Sequence, residues 1–286
     1  MVFLNGRFLP IEEAKVPVLD RGFIFGDGVY ELVPVYSRVA FRLDEHLARL
    51  ERSLAETRIR NPYTRSQWRD LIYRLVDAQP YDDQGVYFQV TRGVAKRDHA
   101  FPAGVEPTVF VMANPLVNPP QELVERGGSA VTAVDNRWLR CDIKSISLIG
   151  NVLLRQVSAD AGAQETILFR DGKLTEASAS NVFIVKRGVL HSPPKSNLIL
   201  PGITYDVVAE IARAANIALE FRNISEAEVR GADEVWVTSS SKEILAIVTL
   251  DGKPVADGKP GPLFRRAYAL YQEFKAKVMR KEAVSV

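Results

Sequence analysis

Hydrophobic positions in the N-terminal part of the chain recur at helical spacing in two places, which predicts two amphipathic helices. Their apolar faces carry Leu47, Leu50 and Leu54, then Trp68, Leu71, Ile72 and Leu75. Asp44 and Thr64 stand just before these runs. Their side chains are suited to accept hydrogen bonds from the first free amides of a helix. We therefore expect Asp44 and Thr64 to be the two N-caps.

Strands are predicted on both sides of these helices. They are Val2–Leu4, Phe8–Leu9, Val29–Tyr36, Gly85–Arg92 and Thr108–Met112. Asn5-Gly6 is a tight-turn signal between the first two strands. Strands and helices in this order form a coherent α+β domain.

The segment 114–128 is rich in proline, asparagine and glycine, which interrupt regular structure, and it is our candidate for the connection between two domains. Beyond it, turn signals between short apolar runs predict hairpins at Asp171-Gly172, Lys186-Arg187-Gly188 and Asp251-Gly252. Helices are predicted from about Thr204 and over Leu263–Met279. The predicted domains are 1–120, which is smaller, and 121–286, which is larger and richer in β structure.

Composition excludes some classes of protein. A hydrophobic fraction of 47% and a charged fraction of 25% are typical of a soluble globular protein, and a length of 286 residues predicts two domains. The 37 basic and 35 acidic residues leave a net charge of +2, which argues against nucleic-acid binding by bulk charge.

The single cysteine, Cys141, excludes an intrachain disulfide and fits a reducing cytoplasm. The N-terminus lacks the pattern of a signal peptide, and no apolar stretch is long enough to span a bilayer. Cys141 and the histidines at 46, 99 and 191 show no metal-ligand spacing. We therefore expect a cytoplasmic protein with no metal site and no membrane partner.

Lys144 and Glu176 are the first candidates for chemistry. A lysine in a confined site forms a Schiff base with an aldehyde cofactor, and a carboxylate holds a pyridinium nitrogen protonated. The apolar neighbours Ile143, Ile146 and Leu148 favour burial of Lys144, which would make its amine nucleophilic. Because lysine and glutamate are mostly solvated surface residues, the pair alone only suggests pyridoxal 5'-phosphate.

Two segments are candidate anion sites. Gly202-Ile203-Thr204 leads into a predicted helix, whose first amides and positive dipole end attract a phosphate. The run 238–241 offers hydroxyls and amides after a predicted strand. Considered singly, Thr204 and Ser241 are better explained as N-caps. Arg49, on the first predicted helix with Arg52, is either on a solvated face or a buried phosphate ligand.

A basic loop is the candidate substrate site. Arg92, Arg97 and His99 follow a predicted strand and are suited to bind a carboxylate, although an exposed basic loop is the commoner outcome. Tyr30 and Glu31 are adjacent in a predicted strand, so one of the two points inward. If Glu31 is the inward one, the Tyr30 hydroxyl is available to a site.

Several segments together resemble the fold-type IV pyridoxal phosphate enzymes, the family of D-amino acid and branched-chain aminotransferases. The segments are Asp20–Glu31, Glu45–Leu50, Tyr87–Gly93, Arg137–Ser145, Thr175–Phe183, Gly202–Thr204 and Val237–Ser239. They extend over nearly the whole chain, in the order found in the family. The resemblance implies a two-domain α+β fold, with a small N-terminal α/β domain and a β-rich C-terminal pseudo-barrel.

The resemblance also implies roles for individual residues. Lys144 would hold pyridoxal 5'-phosphate as a Schiff base and move the proton of the substrate. Glu176 would bind the pyridine nitrogen. The residues that would bind the phosphate are Arg49, Ile203, Thr204, Ser239 and Ser240, and those that would bind the substrate carboxylate are Tyr30, Arg97 and His99.

The Arg-x-His pattern of Arg97-Asp98-His99 resembles the loop of the D-amino acid enzymes, whereas the matching loop of the branched-chain enzymes differs. The expected reaction is transamination between D-amino acids, such as D-alanine and D-glutamate, and 2-oxo acids, such as 2-oxoglutarate or pyruvate. The alternatives are a branched-chain L-amino acid or (R)-amine transaminase, or an aminodeoxychorismate lyase. The family also implies a homodimer, because its sites lie near the subunit interface.

Overall fold

A six-stranded antiparallel sheet forms the first of the two units into which the computed structural model divides. Its strands are β1 (Val2–Leu4), β2 (Arg7–Leu9), β3 (Gly28–Tyr36), β4 (Val39–Ala40), β5 (Gln84–Thr91) and β6 (Thr108–Pro115), in the order β2-β1-β6-β5-β3-β4. The helices of this unit are α1 (Arg21–Phe25), α2 (Leu43–Glu56) and α3 (Arg65–Asp77), besides a 3-10 turn at Ile11–Glu13.

The structure describes residues 1–280. The first unit holds residues 1–116, 143–148 and 279–280, and the second holds 117–142 and 149–278. Residues 143–148, which include Lys144, therefore pack with the N-terminal unit. The division into domains 1–120 and 121–286 stays a prediction, since compact units do not establish independent folding.

The second unit is built on a nine-stranded mixed sheet with the order β12-β11-β10-β13-β14-β7-β8-β9 and β15 beside β14. The strands are β7 (Gly128–Val134), β8 (Glu165–Arg170), β9 (Lys173–Ala177), β10 (Asn181–Lys186), β11 (Val189–Ser192), β12 (Leu219–Phe221), β13 (Glu234–Ser239), β14 (Glu243–Leu250) and β15 (Lys253–Pro254). The helices are α4 (Gln121–Arg126), α5 (Ile149–Asp160), α6 (Ile203–Ala214), α7 (Glu226–Arg230) and α8 (Pro262–Phe274), and α8 ends in a π turn, Lys275–Met279.

The predicted apolar faces are buried in the core of the first unit. All seven predicted face positions of α2 and α3 are buried, together with strand residues such as Val33 and Phe88. Thr64 is the predicted N-cap of α3, and with Gln67 it forms a capping box. Both predicted helices are confirmed, and so is the α+β class.

Several local predictions are wrong at helix ends. Arg42 is the N-cap of α2, and Asp44 lies in the first turn, where its negative charge favours the helix dipole. Gly202, not Thr204, is the N-cap of α6. Ser241 caps no helix, because it lies in the turn between β13 and β14. The predicted connection 114–128 also contains the short helix α4.

Candidate active site

Lys144 lies on a segment that pairs with β3. Its carbonyl accepts a hydrogen bond from the Tyr30 amide at 2.9 Å, and its own amide donates to the Ser53 hydroxyl at 3.3 Å. Its Nζ lies 4.1 Å from the centroid of the Tyr30 ring. Within residues 1–280, no carboxylate lies within salt-bridge distance of Nζ, and the side chain is half-buried. A half-buried amine without a carboxylate partner remains available for covalent chemistry.

Tyr30 and Glu31 point to opposite faces of β3. Glu31 is 0% exposed, so it is the inward residue, and Tyr30 is half-buried beside Lys144 and Tyr87. The alternation of the strand therefore assigns Tyr30 to the face where Lys144 lies. This settles the question that the sequence left open between a core tyrosine and an available one.

Arg49 is buried and contacts Glu31. Its Nε and Nη2 donate to the two carboxylate oxygens at 2.7 and 2.8 Å, and His46 Nδ1 lies 2.8 Å from Oε2. Burial acts to raise the pKa of Glu31, but the charge and hydrogen bonds of Arg49, followed by His46, hold it well below the usual value. Arg52, on the same helix, is exposed. Of the two alternatives for Arg49, the structure therefore excludes the solvated face.

Arg97 and His99 lie on the exposed loop after β5. Both contact the ring of Phe25: the guanidinium carbon of Arg97 and the centroid of the His99 ring each lie 5.4 Å from its centroid. The three predicted carboxylate ligands thus form two groups in this chain. Tyr30 lies with Lys144, while Arg97 and His99 lie around Phe25.

Glu176 ends up at the centre of a buried polar cluster in the second unit. Arg137 Nη1 donates to its Oε1 at 2.6 Å, while the Asn181 side-chain amide and the Leu200 backbone amide donate to Oε2 at 3.1 and 3.0 Å. Burial raises the pKa of Glu176 to about 7, and Arg137 only partly opposes this. A carboxyl that titrates near neutrality is suited to share a proton with a ring nitrogen.

Asp135 competes for the same arginine. It accepts two hydrogen bonds from the Arg137 side chain, each at 2.9 Å, and one from Thr175 Oγ1 at 2.7 Å. Its negative charge also raises the pKa of Glu176. The sequence did not predict that Arg137 and Asp135 contribute to this cluster. Arg137 lies in one of the segments that resemble the family, but its partner Glu176 is 39 residues away, and no local pattern indicates the contact.

Ile203 and Thr204 open helix α6, where the first amides of a helix have no intrahelical partner. The preceding Gly202 has no room for a side chain, because a Cβ there would lie 2.2 Å from Asn181 Oδ1. Asn181 in turn binds Glu176 and the Leu200 carbonyl. The start of α6 and the Glu176 cluster are therefore one packed arrangement.

Ser239 and Ser240 are half-buried at the turn that joins β13 to β14. Ser239 Oγ accepts a hydrogen bond from the Lys242 amide at 3.1 Å. The Lys242 ammonium lies 3.0 Å from the fully buried carboxylate of Glu165, which also binds the Ser180 hydroxyl at 2.9 Å. This ion pair ties the turn to the segment that follows Glu176.

None of the helices within residues 1–280 is both long and apolar enough to cross a membrane.

Comparison with known proteins gives consistent results. The family described as amino-transferase class IV matches residues 28–250. The D-alanine aminotransferase of Bacillus licheniformis is 40% identical over 271 residues, which cover 95% of either chain. That of Staphylococcus aureus (strain MW2) is 40% identical over 274 residues, which cover 96% of this chain and 97% of the relative. Among solved structures, a branched-chain amino acid aminotransferase of T.th. with pyridoxamine 5'-phosphate superposes with a TM-score of 0.90 at 26% identity, covering 98% of this chain and 94% of that one.

Proposed function

The chain belongs to the amino-transferase class IV family, and from this premise we propose that it transfers amino groups between D-amino acids and 2-oxo acids with pyridoxal 5'-phosphate as cofactor. Family membership confirms the resemblance found in the sequence. The D-amino acid substrate is supported by the 40% identity to D-alanine aminotransferases over almost the whole chain. The observation that supports the chemistry is the Lys144 amine, which is half-buried and, among residues 1–280, has no carboxylate within salt-bridge distance.

The side chains present fit this cofactor. An aldehyde requires an amine that is not held in a salt bridge, and within residues 1–280 Lys144 has none. A ring nitrogen requires a buried carboxyl group, which Glu176 offers. A phosphate requires amide donors, and the first amides of α6, at Ile203 and Thr204, have no intrahelical partner. When bound, the cofactor supplies the carbonyl for attachment and the ring that withdraws electrons from the reacting carbon.

Each residue then has a defined task. Lys144 would hold the aldehyde of the cofactor, and its Nζ would carry the proton to and from the substrate Cα. Glu176 would hold a proton at the ring nitrogen, and Arg137 donates a hydrogen bond that orients Glu176. The residues that would bind the phosphate are Arg49, Ile203, Thr204, Ser239 and Ser240. Tyr30, Arg97 and His99 bind the carboxylate of the substrate, which orients its Cα–H bond.

A substrate panel tests the proposal. The purified protein with its cofactor is given D- or L-amino acids with 2-oxoglutarate, and D-alanine is expected to be converted to pyruvate only when the acceptor is present. Activity restricted to L-leucine or L-valine would refute the D-amino acid assignment and leave the cofactor assignment standing. Pyruvate formed without an acceptor would indicate a lyase.

Lys144→Ala is expected to lower kcat by at least about a hundredfold, since positioned proton transfer alone contributes that much. The altered protein should also lack the absorbance of the covalently attached cofactor. A matched control is Lys253→Ala, which removes an exposed lysine of the second unit that the proposal does not attach to the cofactor. Full turnover by the Lys144→Ala protein would contradict the mechanism.

We also propose a cytoplasmic homodimer. Helix α5 exposes Ile149, Val152 and Leu153, which are 71, 58 and 62% exposed and lie within one turn of one another. Apolar side chains clustered in this way are typical of a subunit interface.

The cytoplasmic location and the dimer have separate support. The single cysteine, which is buried and unpaired, suits a reducing compartment. Light scattering during gel filtration should give twice the chain mass, and Leu153→Glu should shift it toward one chain.

A further inference from the structure

We propose that Arg21 is a positioning residue for the substrate carboxylate: it holds the backbone of the Arg97–His99 loop and so sets where those two side chains stand. The inference rests on the proposed function, because it takes Arg97 and His99 to be the carboxylate ligands. Arg21 itself is buried in the first unit and needs no contact with the substrate.

The guanidinium of Arg21 faces three successive carbonyls of this loop. Its Nη1 donates to the Asp98 carbonyl at 2.5 Å and lies 3.4 Å from that of Ala100, and its Nη2 lies 3.5 Å from that of His99. The Asp98 contact is the shortest of the three, and the other two are longer than a typical N–H···O hydrogen bond. A planar group with several fixed N–H donors can orient such a turn, which a lysine ammonium cannot do.

Asp27 fixes Arg21 in this orientation. Its Oδ2 accepts hydrogen bonds from Arg21 Nε and Arg92 Nε, both at 2.7 Å, and its Oδ1 accepts one from Arg92 Nη2 at 3.0 Å. Arg92 also donates to the carbonyls of Thr57 and Arg58, at 2.8 and 3.0 Å. The loop is thereby joined, through two arginines and one aspartate, to the end of helix α2.

Helix α1 supplies a second contact to the same loop. Arg21 and Phe25 are four residues apart and lie on one side of this helical turn, with the guanidinium carbon 4.8 Å from the ring centroid. The side chains of Arg97 and His99 both pack against the Phe25 ring. The backbone of the loop is thus held by Arg21 and its side chains by Phe25.

This arrangement has a direct consequence for binding. Arg97 and His99 are exposed, and exposed side chains on a free loop lose conformational freedom when they bind a carboxylate. Contacts that order the loop beforehand remove part of that cost. Weakening them should reduce the selectivity for a carboxylate-bearing ligand and leave the reactivity of the attached cofactor unchanged.

The test compares two probes on the purified protein with its cofactor. Aminooxyacetate carries a carboxylate and O-methylhydroxylamine does not, and both react with the attached cofactor with a change in absorbance. Arg21→Lys keeps the charge beside Asp27 but loses the planar fork. We expect it to lower the ratio of the two rate constants about tenfold, equivalent to about 1.4 kcal/mol, while the O-methylhydroxylamine rate stays within about twofold.

A matched control and an independent readout separate positioning from general damage. Arg38 is likewise held by one carboxylate and two backbone carbonyls in the same unit, so Arg38→Lys should leave the ratio unchanged. Hydrogen–deuterium exchange of the Arg21→Lys protein should be faster at residues 97–101 than in the unaltered protein. If Arg21→Lys slowed both probes equally, or left both the ratio and the exchange unchanged, the inference would be wrong.

Arg97→Ala distinguishes this failure from failure of the proposed function. If Arg97→Ala lowers the ratio and Arg21→Lys does not, only the positioning role is overturned. If Arg97→Ala leaves the ratio unchanged, the carboxylate role of Arg97 fails, and the inference fails with it.

Discussion

Two buried glutamates each contact an arginine, yet their pKa values move in opposite directions. Glu31 receives two hydrogen bonds from Arg49 and a third contact from His46, and its pKa is held far below the usual value despite burial. Glu176 receives one hydrogen bond from Arg137, and burial raises its pKa to about 7. The type of partner is the same in the two pairs.

The difference lies in how the arginine is shared. Arg49 offers Glu31 a bidentate contact, whereas Arg137 gives its bidentate contact to Asp135 and a single N–H to Glu176. The negative charge of Asp135 further disfavours a second anion beside it. Folding therefore favours the ionised form of Glu31 and the protonated form of Glu176.

The largest expected effect is a loss of protein stability when Glu31 loses its arginine partner. Replacing Arg49 by methionine leaves a buried carboxylate without its main counter-charge, which should destabilise the cofactor-free protein by about 3–5 kcal/mol in urea unfolding. Arg52→Met on the exposed face of the same helix is the control and should change stability by less than about 0.5 kcal/mol. Equal effects of the two changes would mean that Glu31 does not depend on Arg49.

The next effect concerns the pH dependence of stability. The folded-state pKa of Glu176, about 7, lies above the ordinary value of 4.5, so folding favours its protonated form. The stability that this group contributes is present below pH 4.5 and is lost as the pH rises through about 7. The Glu176→Gln protein lacks this titrating group. Its free energy of unfolding, relative to that of the unaltered protein, should therefore rise by up to about 3 kcal/mol between pH 4.5 and about 7.

Thermal unfolding of the two cofactor-free proteins at a series of pH values measures this difference. The cofactor must be absent from both proteins, because a bound cofactor would place a further charge beside Glu176. A constant difference between the two proteins from pH 4.5 to about 8 would show that folding does not raise the pKa of Glu176.

The smallest expected effect tests how Arg137 is shared. Asp135→Asn removes the competing charge, so the pKa of Glu176 should fall toward its ordinary value, by about one unit or 1.4 kcal/mol. The measurement is the same pH-dependent difference, now between Asp135→Asn and the double variant Asp135→Asn/Glu176→Gln. The pH-dependent stability change caused by Glu176→Gln should therefore be smaller in the Asp135→Asn background than in the unaltered protein. Equal changes in the two backgrounds would show that Asp135 does not set the pKa of Glu176.

Local pattern was enough for much of the fold. The helical spacing of Leu47, Leu50 and Leu54 predicted α2, and Thr64 was found as the N-cap of α3. The hairpin turns and the family also followed from the sequence. Helix ends were less predictable: Gly202 is the N-cap of α6, and the local sequence does not show that a Cβ there would lie 2.2 Å from Asn181 Oδ1.

The sequence by itself determined the family and the candidate residues, since motif order, apolar periodicity and turn chemistry are all local. Only the tertiary structure decided which of Tyr30 and Glu31 faces Lys144, that Arg49 is buried, and that Arg137 holds Glu176. It also brought Arg21 to a loop 77 residues away. The physical reason is that charge state and orientation depend on burial and on hydrogen bonds between distant segments, and neither quantity exists until the chain has folded.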